Sequence, residues 1–333
     1  MSWKVLITAR TMNEVGLTAL ELLRKAGCEI VLPPRHGPLP AHELLNVLPD
    51  ADAVLASMDK FTSAVLESEP ASHLKIISRW GVGYDAIDVA SATRRGIVVA
   101  YTPGLLNETV ADYAFALLLA LARRVHEGHA SMRAGHWTPA WGTDVFGKTL
   151  GLLGCGRIGQ AVARRATGFN MRLIAHDPAA PPDAKEIGVK FVSFEELLAE
   201  SDFLSLHAAL TKGNRGVLGE PQLRKMKPTA YLINTARGAL VDEAALVRAL
   251  EEGWIAGAAI DAFVIEPLPA DHPLSRAPNL LLTPHQASFA RETGERVSLF
   301  AAQAIIDLMN GRQPQFVVDP EVFRNPELRA RID

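Results

Sequence analysis

Two successive runs of alternation constrain this chain more than any other feature of it. Apolar stretches of strand length alternate with amphipathic helical patterns, the order expected of parallel sheets whose crossover helices cover both faces. The first series runs from KVLITA through the helical EVGLTALELLRKAG to EIVLPP, then ADAVLAS, LKIISRWGVG, the helical IDVASATRRG and IVVAYTPG. The second starts near Thr149 with TLGLLG, MRLIAHD, DFLSLHA, AYLINTA, AAIDAF and NLLLTP. Gly27 and Gly96 stand where helix C-caps are expected. SFEE, Ser193 to Glu196, is a capping box, and Asp242 opens a helix that stops at Gly253. The chain of 333 residues is long for one domain, and the pattern predicts two doubly wound α/β units. A helix from about Asn107 to Arg124 is the candidate connector, and RETGERVSLFAAQAIIDLMNG is one more long amphipathic helix.

Composition excludes several classes. Apolar residues make up 48% and charged residues 21%, with a formal charge of −3, which argues for a globular core and against nucleic acid as a partner. Cys28 and Cys155 lack metal spacing and suggest a reducing compartment without disulfides. No metal site is expected. The most apolar segment, Tyr113 to Ala122, is about half the length that spans a bilayer, and the N-terminal stretch MSWKVLITAR has no cleavage pattern. A cytoplasmic protein without a membrane partner is the expectation.

Within the second series, Gly154, Gly156 and Gly159 have G-x-G-x-x-G spacing between a buried strand and a helix. The first glycine makes the turn, the second admits a pyrophosphate and the third packs helix on strand. The helix N-terminus offers N–H groups and its positive dipole end. The next strand ends at Asp177, 18 residues past Gly159. An acid there accepts hydrogen bonds from a ribose 2′-OH and repels a 2′-phosphate, so NAD is expected over NADP.

Three strands of this series end in chemistry-bearing residues. Arg237 follows LINTA, Asp261 and Glu266 follow AAI, and His285 follows LLLTP. Singly, each has a plainer structural reading: a buried ion pair, a solvated loop, a satisfied core histidine. Together they would make a hydride-transfer site on a 2-keto acid. Arginine clamps the carboxylate and polarises the keto oxygen, histidine exchanges a proton with that oxygen, and glutamate stabilises the imidazolium. Pro284 and Pro267 stiffen the loops that present the pair.

From about Leu74 to Gly311 the chain resembles the D-isomer-specific 2-hydroxyacid dehydrogenase family, which includes D-3-phosphoglycerate dehydrogenase and the hydroxypyruvate and glyoxylate reductases. The resemblance rests on RWGVGYDAIDVASATRRGI, TLGLLGCGRIGQAVARR, INTARGALVDEAALVRAL, IDAFVIEPLP and LLTPHQA. It implies that Arg237, Glu266 and His285 are catalytic. Arg157 and Ile158 would meet the pyrophosphate, Asp177 the ribose, Thr235 and Ala236 the nicotinamide, and Asp261 its carboxamide. Thr109 and His207 complete the implied cofactor positions, and Val82 and Gly83 would bind the substrate carboxylate through backbone amides. The implied fold is a Rossmann NAD-binding domain, 102–287, inserted in a discontinuous flavodoxin-like substrate domain, 1–101 and 288–333. Hinges would fall near Thr102 and Ala287, with the active site in the cleft. The 105–150 region would pair subunits in a homodimer, where Trp137 or Trp141 is a candidate to enter the partner's site.

The sequence also departs from the family pattern at Tyr101, Asp112, Ala209 and Gln286; Tyr101 and Gln286 bear on the substrate. Arg79, two residues before the GVG loop, is a candidate ligand for a substrate phosphate, with a surface ion pair as the alternative. Trp80 would narrow the pocket. With Asp333 as its last residue, the chain is expected to lack the regulatory extension of some phosphoglycerate dehydrogenases. The expected substrates are compact: 3-phosphoglycerate, hydroxypyruvate or glyoxylate. Two alternatives share the fold: an NAD(H)-sensing binding protein like the family's corepressors, and a phosphite or formate dehydrogenase.

Overall fold

The computed structural model describes residues 2–332. Contacts within the chain divide it into two units: one runs up to Leu106 and resumes at Phe289, and the other is Asn107–Ser288.

The first unit begins with β1 (Lys4–Ile7), α1 (Leu17–Lys25), β2 (Glu29–Val31), α2 (Ala41–Val47), β3 (Ala53–Ala56), α3 (Ser63–Leu66), β4 (Ile76–Arg79), α4 (Val89–Arg94) and β5 (Val98–Ala100). All strand pairs are parallel, in the order β2-β1-β3-β4-β5, which is the flavodoxin-like winding. Asp88 caps α4 by accepting the Ser91 N–H. That helix ends at Gly96, whose φ of +63° and the carbonyl of Glu327, 1.9 Å from where a Cβ would stand, leave room only for glycine. Thr102 is held inside this unit by mutual bonds with Gly81 of 3.0 Å each, so the first crossing follows Leu106.

The second unit carries α5 (Asn107–Ala122), α6 (Val125–Arg133), β6 (Thr149–Leu153), α7 (Arg157–Thr167), β7 (Arg172–His176), α8 (Asp183–Glu186), β8 (Lys190–Phe191), α9 (Phe194–Glu200), β9 (Phe203–Leu206), α10 (Glu220–Leu223), β10 (Tyr231–Asn234), α11 (Glu243–Glu251), β11 (Gly257–Ile260) and β12 (Leu280–Leu282). Its sheet order, β12-β11-β10-β9-β6-β7-β8, is that of a Rossmann fold. The order reverses between β6 and β9, and ligands bind beyond the strand ends at such a switch point. One face of the sheet packs Ala111, Phe115 and Leu118 of α5 with Val162 and Ala166 of α7. The other packs Leu197 of α9 with Leu246 and Leu250 of α11. The expected connector helix is therefore part of the second unit's core. It stops early: Arg124 adopts a left-handed backbone (φ 53°), and a separate helix follows.

The chain then returns to the first unit as α12 (Arg291–Met309), whose backbone at Ala301 accepts the buried Ser78 hydroxyl at 2.8 Å.

Candidate active site

The glycine loop follows β6 for local steric reasons. Gly154 has φ +90°, and a Cβ there would lie 2.5 Å from the Ala208 nitrogen. At Gly159 a Cβ would meet the Gly154 carbonyl at 2.5 Å, so α7 packs directly on the turn. Gly156 differs: nothing lies within 4 Å of its would-be Cβ, and as N-cap it has no side chain over the first N–H groups of α7. Arg157 is exposed on the first turn and Ile158 is half-buried behind it.

Asp177 follows β7 and turns back onto this loop, accepting the Cys155 N–H at 2.7 Å and the Ala179 N–H at 2.8 Å. Burial, and secondarily the Asp177 charge, pushes the Cys155 thiol up to about 11. His207 follows β9 and bonds Ser205 Oγ at 2.8 Å. Burial of its ring pushes its pKa down to about 4, so the imidazole is neutral at pH 7.

At the end of β10, Asn234 is fully buried. Its side chain accepts the Ala236 N–H at 3.0 Å and donates to the Arg237 carbonyl at 2.9 Å, which shapes the turn bearing Thr235, Ala236 and Arg237. Hydrophobic periodicity does not single out this asparagine; its place at a strand end before a charged turn is the signal that would. Thr235 is 8% exposed, and its hydroxyl is buried without a hydrogen-bond partner. Arg237 NH1 donates to the Ala236 carbonyl at 2.8 Å. Next to it, Gly238 lies against Phe263, whose carbonyl carbon is 2.1 Å from a hypothetical Cβ. That close approach brings Arg237 beside the loop carrying Glu266.

Glu266 and His285 meet: Nδ1 of His285 lies 2.8 Å from each carboxylate oxygen, and the Phe263 N–H donates to Oε1 at 2.9 Å. Burial alone would raise the Glu266 pKa. The His285 hydrogen bond and charge, the Phe263 N–H and the Arg237 charge outweigh it and hold the carboxyl below its ordinary value. His285 itself has a left-handed backbone, φ 50°. Asp261 is fully buried and accepts bonds from the loop around His285: the Thr283 hydroxyl (2.6 Å) and the N–H groups of Gln286 (3.0 Å) and Ala287 (2.9 Å). The Gln286 side chain donates to the Tyr113 hydroxyl on α5 at 2.6 Å.

The remaining candidates are dispersed. Thr109 is half-buried on the first turn of α5. Val82 and Gly83 lie on a half-buried loop of the first unit. Arg79 is 8% exposed; its Nε donates to the Gly83 carbonyl at 2.9 Å and NH2 lies 2.9 Å from Met58 Sδ. It ties the start of the loop to the end of β4. Tyr101 packs edge-on against Tyr84, just past that loop, at 5.7 Å. Asp112 bonds Arg165 on α7, and Ala209 accepts the Asn214 side chain.

The residues present fit a dinucleotide. Space above Gly156, bare N–H groups at α7 and an orphaned Thr235 hydroxyl are what a pyrophosphate and a nicotinamide would complete. A doubly wound sheet with this loop at its switch point defines a dinucleotide-binding class of protein. Comparison with known proteins narrows the class. Residues 115–287 match the model of the D-isomer specific 2-hydroxyacid dehydrogenase NAD binding domain. Over 332 residues, 97% of this chain and 98% of the relative, the sequence is 45% identical to a glyoxylate reductase of Korarchaeum cryptofilum. The fold is similar to the TT0316 protein of Thermus thermophilus (TM-score 0.84, 42% identity, 95% of this chain and 100% of that one). It is also similar to a D-lactate dehydrogenase of Aquifex aeolicus complexed with NAD and lactic acid (TM-score 0.81, 27% identity, 92% and 96%). The chain belongs to the D-isomer specific 2-hydroxyacid dehydrogenase family. It is an NAD-dependent oxidoreductase acting on the CH–OH group of small hydroxy acids, and the binding-protein alternative is not favoured.

Proposed function

We propose that this enzyme reduces a short 2-keto acid, with glyoxylate and hydroxypyruvate favoured, and that Arg237, Glu266 and His285 carry the chemistry. The observation that bears most weight is the His285–Glu266 pair at 2.8 Å with the Arg237 charge beside it. His285 Nδ1 donates to the carboxylate, which fixes the tautomer and assigns proton delivery at the keto oxygen to Nε2. Glu266, held ionised, compensates the imidazolium charge before that proton leaves. Arg237 binds the substrate carboxylate and draws electron density from the adjacent keto oxygen. The family resemblance would add the backbone N–H groups of Val82 and Gly83 as carboxylate ligands.

NADH, when bound, supplies the hydride that the keto carbon accepts. Gly154, Gly156, Arg157, Ile158 and Gly159 would hold its pyrophosphate, Asp177 its adenosine ribose, and Thr109, His207, Thr235 and Ala236 its nicotinamide half. Asp177 also supports preference for NADH, because its carboxylate is fixed by the Cys155 N–H of the glycine loop and the Ala179 N–H of its own turn and would repel a 2′-phosphate. The relative named a glyoxylate reductase points to the same substrate size. Against 3-phosphoglycerate, the Arg79 guanidinium is already engaged by Gly83 and Met58.

The test is NADH oxidation with glyoxylate, hydroxypyruvate, pyruvate, 2-oxoglutarate and phosphohydroxypyruvate, with NADPH in parallel. Highest kcat/KM on glyoxylate or hydroxypyruvate with NADH is expected; a preference for phosphohydroxypyruvate or NADPH would overturn the respective assignment. We also assign homodimer formation to the 105–150 region, where Trp137 is 84% and Trp141 97% exposed, an unusual cost for large apolar rings. Replacing both tryptophans with serine should shift the sedimenting species to a monomer.

A further inference from the structure

We propose that Asp261 is a positioning residue that holds the catalytic loop in its strained backbone, an inference that rests on the role given to His285 above. The family resemblance assigns this carboxylate to the nicotinamide carboxamide. Its surroundings assign it a second task. Oδ1 accepts the Thr283 hydroxyl at 2.6 Å and the Gln286 N–H at 3.0 Å, and Oδ2 accepts the Ala287 N–H at 2.9 Å. A carboxylate offers about four acceptor sites, so most of this one is committed to the loop.

The bonds fall on both sides of His285, and that residue carries the strain. Its φ of 50° is a left-handed conformation that a residue with a Cβ adopts only where the surroundings over-determine it. Two further contacts tighten the segment: the His285 N–H reaches the Thr283 carbonyl at 3.0 Å, and the Gln286 side chain reaches Tyr113 at 2.6 Å. Asp261 is fully buried, where bonds to a charged acceptor are strong and directional. Nδ1 of His285 faces Glu266 because the loop cannot relax toward an extended backbone.

Three variants separate the readings. Asp261→Asn turns one acceptor into a donor facing donors. Thr283→Val removes one bond and leaves the carboxylate intact, and His285→Ala removes the proposed acid. NADH affinity is read by fluorescence titration, kcat and KM by keto-acid reduction, and the isotope effect with 4-deuterated NADH. We expect kcat to fall about a hundredfold in Asp261→Asn and about tenfold in Thr283→Val, as for a misplaced catalytic group. The isotope effect on kcat should rise in both variants, and in Thr283→Val, which leaves the carboxylate in place, NADH affinity should stay within about threefold. Thr283→Ser should recover most of the lost rate. Weakened NADH binding in Asp261→Asn with parental kcat in Thr283→Val would overturn positioning and leave only the carboxamide role. Full activity in His285→Ala would overturn both this inference and the assignment of the acid.

Discussion

At the scale of single residues, Arg237 shows why residue type matters more than charge. Its NH1 is tied to the neighbouring Ala236 carbonyl, so the guanidinium is oriented before substrate arrives, and its planar fork matches a carboxylate in two places. Arg237→Lys should lower kcat/KM about a hundredfold or more, with little change in NADH affinity; near-normal turnover would remove Arg237 from the chemistry. The placement of Arg237, Glu266 and His285 was legible in the sequence because each follows an apolar strand at the carboxyl edge of one sheet. Their supports were not. Asn234 acts through a local side-chain turn that hydrophobic periodicity does not register, and Tyr113 meets Gln286 across 173 residues of sequence. Thr283 and Asp261 are bound by contacts that exist only once β11 and β12 lie side by side.

At the scale of elements, the glycine loop separates folding from binding within six residues. Gly154→Ala forces a Cβ into a φ of +90° against Ala208, and we expect both a lowered Tm and lost NADH binding. Gly156→Ala meets no protein atom within 4 Å at a φ of −70°, so Tm should hold while NADH affinity falls. Calorimetry and titration of the two variants check this; a destabilised Gly156→Ala would contradict it. Most elements were legible: the Ser193–Glu196 capping box has both its bonds, and Asp242 caps α11 through Ala245. Two were not. β8 spans two residues, too short for any period, and α6 buries no residue, so it has no apolar stripe to betray it.

At the scale of the whole molecule, His207 couples stability to acidity. Burial holds its pKa at about 4 against an ordinary 6.5, so between those values the unfolded chain binds a proton that the native chain does not. Stability therefore rises with pH through this window and is lost as pH falls from about 6.5 toward 4, by at most about 3 kcal/mol. In His207→Gln, the Tm of the cofactor-free protein should fall less between pH 7 and pH 5 than it does in the parent; an equal fall would acquit the histidine. No described helix is long and apolar enough to cross a membrane. The return of the chain to its first unit at Phe289 has a consequence for synthesis on the ribosome. All five strands of the first sheet emerge early, but α12, whose Ala301 and Ser298 receive the buried Ser78 and Trp80 side chains, follows only after residues 107–288. At translation speeds that interval lasts on the order of ten seconds or longer. The uninterrupted unit can fold while the sheet made before it waits, its apolar face uncovered, for a helix still to be made.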